Sequence, residues 1–386
     1  MDFRMGEKSD AFRAEVREFL DEQMTPELEE KLYRTGVSND EDFTKALAEK
    51  GFLALGWPVE WGGQGREPME VMAYMEEVQK YDAPSYGIGT TIAVAKVLHA
   101  LGTDEQKADI LRPALRGEII ICLGFSEPES GSDVAAAQTK AVRDGDEWVI
   151  NGQKMFTTNA HIGDYVFLLA RTNTEVAKHK GLTTFLVPLK HPGVEVQAVY
   201  TLSGERTNIT YYSDVRIPDA WRIGDVDGGW RVMTVSLQDE HSTGFGGRML
   251  ALIENTEAWA AEATDADGRR RLDDPEVRSR LGRARAEHEV SVLLQRRGTW
   301  MVEQGIVPEA EGPMSKLYSS EALERVAQDL TEMVGADALR SYFDPTAPQG
   351  GRIEHSLRFS VGTTIYAGTS EVQRNIIAQR GLGLPR

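Results

Sequence analysis

FSEPESGSDVAAAQTK, residues 125–140, followed by WVINGQKMFTTNA, residues 148–160, is the stretch on which the reading of this chain turns. Between Ser126 and Ser132, small hydroxyls, two carboxylates, a proline and a glycine crowd together. That composition makes irregular backbone with unpaired N–H groups and short side-chain donors, for which a polar ligand is the natural partner. Thr139 to Val142 and Glu147 to Ile150 flank Asp144-Gly145, a hairpin signal, and Asn151-Gly152 is expected to supply a second tight turn before Lys154 to Thr158. The region reads as an antiparallel β-meander. Turns of this kind occur in any β-rich domain, and Gly-Ser-Asp is a common loop tripeptide. These residues alone therefore leave a purely structural reading open beside the ligand-binding one.

Outward from this stretch the chain changes character twice. Residues 1–120 carry helical periodicity at Asp42 to Glu49, Pro68 to Lys80 and Thr90 to Leu101, and Thr103 with Gln106 forms a capping pattern. Residues 121–227 switch to period two, as in TTFLVPL and GVEVQAV, and residues 228–386 return to long helices. The expected fold class is α+β: an all-α domain over 1–120, a barrel-like β domain over 121–227 and an all-α, four-helix-bundle domain over 228–386. No repeat of 20 to 50 residues and no GxGxxG after a strand is visible, so neither a solenoid nor a dinucleotide-binding βαβ unit is indicated.

Composition sets further bounds. With 386 residues, 41% hydrophobic and 27% charged, the chain has ordinary globular usage and enough length for a sizeable core. The N-terminal MDFRMGEKSDAFRAEVREFL reads as an amphipathic helix with Phe12, Val16 and Leu20 on one face, unlike a signal or transit peptide, and no apolar run suggests a membrane span. A cytoplasmic location is the expectation. One cysteine, Cys122, excludes an internal disulfide or a multi-thiolate metal site and reads as a small core residue, so no metal is expected. The net charge of −18 argues against nucleic acid as a partner. The most basic run, RRRLDDPEVRSRLGRAR at Arg269 to Arg285, is broken by acids at helical spacing and reads as a solvated helix face.

Ser126 to Asp133 and Lys154 to Asn159 resemble the T/S-E-P-x-x-G-S-D and K-x-W/F-x-T-N segments that flank the flavin in acyl-CoA dehydrogenases. GFLALGWPVEWGGQG (Gly51 to Gly65) resembles that family's loop after its early helices, and IYAGTSEVQRNIIAQRGLGLPR (Ile365 to Arg386) its closing segment. The resemblance spans essentially the whole chain. It implies FAD as cofactor, an acyl-CoA substrate, an electron-transfer flavoprotein as acceptor, and assembly as a homotetramer or as a heterotetramer with a related chain. It implies Phe125 and Ser126 beside the flavin ring, Gly131 and Ser132 at the phosphate and substrate end, and Phe156, where many members have tryptophan, with Thr158 near the ring. By the same resemblance Gly368, Thr369 and Glu371 face the cofactor, and Ser132, His241 and Tyr366 the substrate. Arg278, with Arg280 in reserve, matches an arginine that reaches a neighbouring subunit's flavin. Glu332 and Gly335 stand at the family's Q-x-x-G-G, with an acid replacing the amide.

The reaction needs a carboxylate base for the α-proton of the thioester and hydrogen bonds for the developing enolate. In many members the base is a glutamate just before Gly-Thr-Ser; here that position is Ala367, whose backbone N–H remains available to the thioester oxygen. Other members carry the base on the first long C-terminal helix. In VMTVSLQDEHSTGFGGR, Val232 to Arg248, Met233, Leu237 and Glu240 fall at i, i+4 and i+7, which makes Glu240 the expected base, followed by His241 where the family usually has arginine. An oxidase or flavin monooxygenase on the same fold, or a subunit of a heteromeric steroid-CoA dehydrogenase, are the alternative readings.

Overall fold

The structure is a computed structural model that describes residues 4–240 and 244–385, with 236–240 described by their backbone alone. In chain order the first helices are α1 (Glu7–Gln23), α2 (Pro26–Thr35), α3 (Glu41–Lys50), α4 (Pro68–Lys80), α5 (Tyr86–Leu101), α6 (Asp104–Gln106) and α7 (Arg112–Leu115). The strands follow: β1 (Ile121–Gly124), β2 (Lys140–Asp144), β3 (Glu147–Lys154), β4 (Tyr165–Arg171), β5 (Leu182–Pro188), β6 (Val194–Tyr200), β7 (Arg206–Pro218) and β8 (Arg222–Ile223). Helices α8 (Gly229–Glu240), α9 (Gly246–Glu262), α10 (Pro275–Glu303), α11 (Glu311–Val334), α12 (Arg352–Thr363) and α13 (Ser370–Ile376) complete the chain. The helix–sheet–helix succession is the expected α+β arrangement.

Two compact units emerge from the contacts. One holds the sheet with α2, α3, α5, α6, α7 and nearly all of α8. Its eight strands run β6-β7-β3-β2-β4-β5-β8, with β1 parallel to β4. One apolar cluster packs α5 and the α6–α7 segment against β1, β4 and β5, and includes Leu98, Leu111, Phe167, Leu186 and Met233. A second cluster, with Trp148, Ile150, Phe185, Val215 and the buried Cys122, fills another part of the sheet. The Thr103–Gln106 capping box forms as the sequence suggests, and the Gln106 amide also donates to Ala220 and Arg222 carbonyls.

The Asp144-Gly145 hairpin forms, with β2 and β3 pairing from Asp144↔Glu147 to Lys140↔Asn151. Asn151-Gly152 does not turn. Strand β3 runs through it, because β7 pairs along its whole length and carries an extra residue at the step where Ile150↔Val215 becomes Gly152↔Tyr212. Asp214 takes φ 48° there, and Asn151 bonds its carboxylate at 3.0 Å and accepts its N–H at 2.9 Å. Glycine at 152 (φ 147°) is required by closeness: a Cβ would lie 2.7 Å from Thr139 Cα.

The other unit joins α1 and α4 to α9–α13. Phe12, Val16 and Leu20 of α1 are buried as their spacing predicts, and Arg13 and Arg17 pair with Glu77 of α4, Arg13 also with Glu76. Helix α9 comes so close to α4 that a Cβ on Gly247 would lie 2.2 Å from the Glu76 carbonyl. Met249, Leu252, Leu323, Ala327, Leu330 and Ile353 form the core of this unit. The basic run makes a single 3-10 turn at Arg271–Asp273 and is α-helical only from Pro275, where Asp274 caps α10. No helix among the described residues is long and apolar enough to cross a membrane.

Candidate cofactor and active site

Strand β3 delivers the first element of the site in the sheet unit. Its alternation points Trp148, Ile150 and Lys154 inward, so the lysine ends a row of core residues with no exposure at all. Its ammonium lies 2.7 Å from Glu127 Oε1 and donates to the Phe125 carbonyl at 3.1 Å. Glu127 also accepts the N–H groups of Gln138 and Thr139. Burial works to raise this carboxyl's pKa, but Lys154 and the two N–H groups outweigh it and hold Glu127 below the usual carboxylate range. Burial brings the Lys154 pKa down to about 8 against the pull of Glu127. Met155 N–H bonds the Ser126 carbonyl at 2.9 Å, so the segment from Phe125 to Glu127 is held at three successive residues.

Phe125 turns its ring inward, edge-on to Phe167 at 5.6 Å, so what it offers a ligand is backbone. Beyond Lys154 the chain enters a loop. Phe156 takes φ 57° and is 59% exposed, and Asn159 takes φ 65°. An exposed aromatic ring on left-handed backbone is a costly arrangement that calls for a function. The loop is seated on β7: Thr157 N–H donates to the Asn208 carbonyl, the Asn208 amide to the Thr157 carbonyl, and the Thr158 hydroxyl meets Thr207 at 3.0 Å. His161 Nδ1 lies 3.4 Å from the Asn208 amide, and its Nε2 is buried without a partner among the described residues. Burial first, then the charge of Arg206, lower the His161 pKa to about 4. Gly131 and Ser132 lie exposed, next to Asp133, which pairs with Lys178.

The helical unit contributes the turn before α13. Ala367 and Gly368 are both left-handed, at φ 53° and 82°, and Thr369 caps α13 by accepting Val372 N–H. Gln373 donates to the Ala367 carbonyl at 2.9 Å, and Lys316 of α11 to the Gly368 carbonyl at 2.6 Å. Burial lowers the Lys316 pKa to about 8 against Glu321 and Glu371. Tyr366 is 42% exposed and meets Phe245 edge-on at 6.0 Å. A cavity of about 540 Å³ borders the turn, lined by Glu321, Arg325, Gln328, Thr364, Thr369 and Glu371 among others. Elsewhere in this unit Arg278 is exposed on α10, whereas Arg280 is committed to Glu276 and Asp329. Glu332 is exposed at the end of α11, where Gly335 (φ 81°) stops the helix.

Glu240 is the last residue of α8; its side chain lies outside the described residues, as does His241 altogether. Met233, on the stripe predicted to lead to Glu240, is buried. Among the described residues no group of three or more His, Cys, Asp and Glu side chains is placed to hold a metal ion.

Glu127 and Lys154, and Lys316 with Gln373, are absent from the sequence-derived site, yet they hold the backbone of the residues that are in it. A signal for both lysines exists: each occupies an inward position of an otherwise buried row, Trp148-Ile150-Lys154 on β3 and Lys316-Ser319-Leu323-Ala327-Leu330 on α11.

Three family models cover the chain: acyl-CoA dehydrogenase N-terminal domain at residues 6–118, middle domain at 122–216 and C-terminal domain at 227–382. The chain is 36% identical to acyl-CoA dehydrogenase FadE26 of Mycobacterium tuberculosis, over 98% of each protein. Among solved structures it resembles the ChsE4-ChsE5 complex from Mycobacterium tuberculosis at 34% identity and TM-score 0.91, over 100% of both chains. It resembles the Tcur3481-Tcur3483 steroid ACAD at 35% identity and TM-score 0.91, also over 100% of both chains.

Proposed function

The chain belongs to the acyl-CoA dehydrogenase family, an oxidoreductase family, and on that premise we propose that it oxidises an acyl-CoA thioester to the trans-2-enoyl-CoA with Glu240 as base. The observation that carries this assignment is Ala367: the closing segment makes a left-handed turn there and has a methyl group where many members carry the base. Glu240, ending α8 behind the buried Met233, is the carboxylate left to take the α-proton. The Ala367 N–H, which none of the described hydrogen bonds uses, is the proposed donor to the thioester oxygen as negative charge develops there. Ser132, His241 and Tyr366 are the proposed contacts to the substrate.

The residues present suit FAD. The exposed Phe156 ring offers a flat apolar surface, and the N–H groups of Gly368 and Thr369, unused by the described bonds, suit oxyanions. The residues proposed to hold it are Phe125, Ser126, Gly131, Ser132, Phe156, Thr158, Gly368, Thr369 and Glu371. Arg278, Glu332 and Gly335 are the proposed contacts to a neighbouring subunit's cofactor. Bound FAD would supply the acceptor for the hydride of the β-carbon, and Glu240 is the residue proposed to take the α-proton.

A bulky acyl group such as a steroid side-chain ester, an unlike partner chain and an electron-transfer flavoprotein as acceptor complete the proposal. The first two are supported by the likeness to a steroid ACAD and to the two-protein ChsE4-ChsE5 complex. Bleaching of the flavin by a panel of acyl-CoA and steroid-CoA esters tests the activity. Glu240→Gln is expected to keep bound flavin and lose bleaching by about 10³-fold or more. Retained bleaching in that variant refutes the base, and rapid reoxidation by dioxygen with ligand bound favours an oxidase or monooxygenase instead.

A further inference from the structure

The turn at Ala367 and Gly368 is built inside out. Its two carbonyl oxygens face into the helical unit, where Gln373 Nε2 and Lys316 Nζ hold them at 2.9 and 2.6 Å. Both of those side chains have no solvent exposure. None of the described hydrogen bonds uses the N–H groups of Ala367, Gly368 or Thr369. Left-handed backbone at an alanine persists only where the surroundings over-determine it. Here the surroundings are two buried donors, each with one described acceptor in the turn. Gly368 is held from the same side, since a Cβ there would lie 2.7 Å from Gln373 Nε2.

Lysine is an expensive choice for this place. Position 316 lies on the inward row of α11 that continues through Leu323, Ala327 and Leu330, where methionine or leucine would pack at no electrostatic cost. Its pKa is lowered to about 8 by that burial, against Glu321 and Glu371, so the ammonium form is only loosely retained. A lysine at this position that reaches a single backbone oxygen acts on that oxygen.

We propose that Lys316 and Gln373 are positioning residues for the reaction: they draw the carbonyls of Gly368 and Ala367 inward, which fixes the peptide planes carrying the Thr369 and Gly368 N–H groups and pins Ala367 in its left-handed conformation, and through that φ the Ala367 N–H keeps one direction for the thioester oxygen. The inference rests on the acyl-CoA reading above. Removing either donor frees the turn to relax toward right-handed backbone, and the N–H then points elsewhere.

Lys316→Met and Gln373→Met, in the full chain with its flavin, test this by two independent readouts. Hydrogen–deuterium exchange of the amides of Ser370, Val372 and Gln373, whose hydrogen bonds close the turn onto α13, is expected to accelerate about tenfold or more, with α11 and α12 unchanged. In flavin bleaching by an acyl-CoA, kcat is expected to fall about 10- to 100-fold while KM stays within about threefold. Wild-type exchange at those amides in both variants overturns the proposal, as does a raised KM with kcat intact. Should Lys316→Met fail to fold, Gly368→Ala, which pushes Gln373 aside, is expected to show the same pair of changes, and wild-type values in it count against the clamp. A wild-type protein whose flavin no acyl-CoA bleaches overturns the acyl-CoA reading, while the exchange experiment still decides whether the clamp exists.

Discussion

Lys154 and Glu127 meet at 2.7 Å with the lysine wholly out of solvent, and the same ammonium reaches the Phe125 carbonyl. The pair therefore ties strand β3 to the segment that opens the sequence signature. Lys154→Met leaves a buried carboxylate with only backbone donors, and a loss of about 3 kcal/mol in unfolding free energy is expected from urea titration. The double variant Lys154→Met/Glu127→Leu removes both charges and should recover much of that loss. Flavin content should stay low in both, because the Phe125 carbonyl has lost its donor.

Phe156 gives the opposite pattern. Its ring is largely exposed, so Phe156→Ala is expected to change the stability of the flavin-free protein by less than about 0.5 kcal/mol. Flavin affinity should nevertheless weaken about tenfold, the size of one lost aromatic contact. Fluorescence titration of the apoprotein with FAD measures it, and an unchanged Kd removes Phe156 from the cofactor site.

His161 predicts acid sensitivity. Its pKa is about 4 in the folded protein against an ordinary 6.5, so between these values the unfolded chain binds the proton that the folded one refuses. This contribution to stability is complete above pH 6.5 and is lost as pH falls toward 4. His161→Gln should show a shallower drop in Tm between pH 6.5 and 4.5 than the wild type. Parallel curves would assign the acid sensitivity to other groups.

Gly152→Ala is expected to cost about 1–3 kcal/mol, because its Cβ meets Thr139 backbone at 2.7 Å within a paired strand. Thermal unfolding measures the loss.

Much of the fold was legible because its signals are local. The α1 face of Phe12, Val16 and Leu20, the Thr103–Gln106 box and the Asp144-Gly145 hairpin each depend on residues a few positions apart. Asn151-Gly152 misled because its conformation is set by β7, some sixty residues on, where the extra residue at Asp214 keeps β3 extended. The union of α1 and α4 with the C-terminal helices is likewise invisible to periodicity, resting on Lys80 of α4 with Glu254 of α9 and on the closeness of Gly247 to α4. Within the candidate site the motifs pointed to exposed residues such as Phe156 and Ser132. The lysines behind them were passed over because a charged residue is ordinarily counted as surface.

The extra residue in β7 also divides that strand's work. Before it, the inward positions are even-numbered and polar, Asn208, Thr210 and Tyr212, with Asn208 and Thr210 seating the Phe156 loop; after it they are odd-numbered and apolar, Val215 and Ile217, in the core. One strand thus holds two registers spliced end to end. Deleting Asp214 would force the halves into a common phase, and either the loop would lose its seat or the core would lose two of its aliphatic side chains. A lone inserted residue is in this way the joint that lets ligand-side and core-side sequence vary independently along a single stretch of chain.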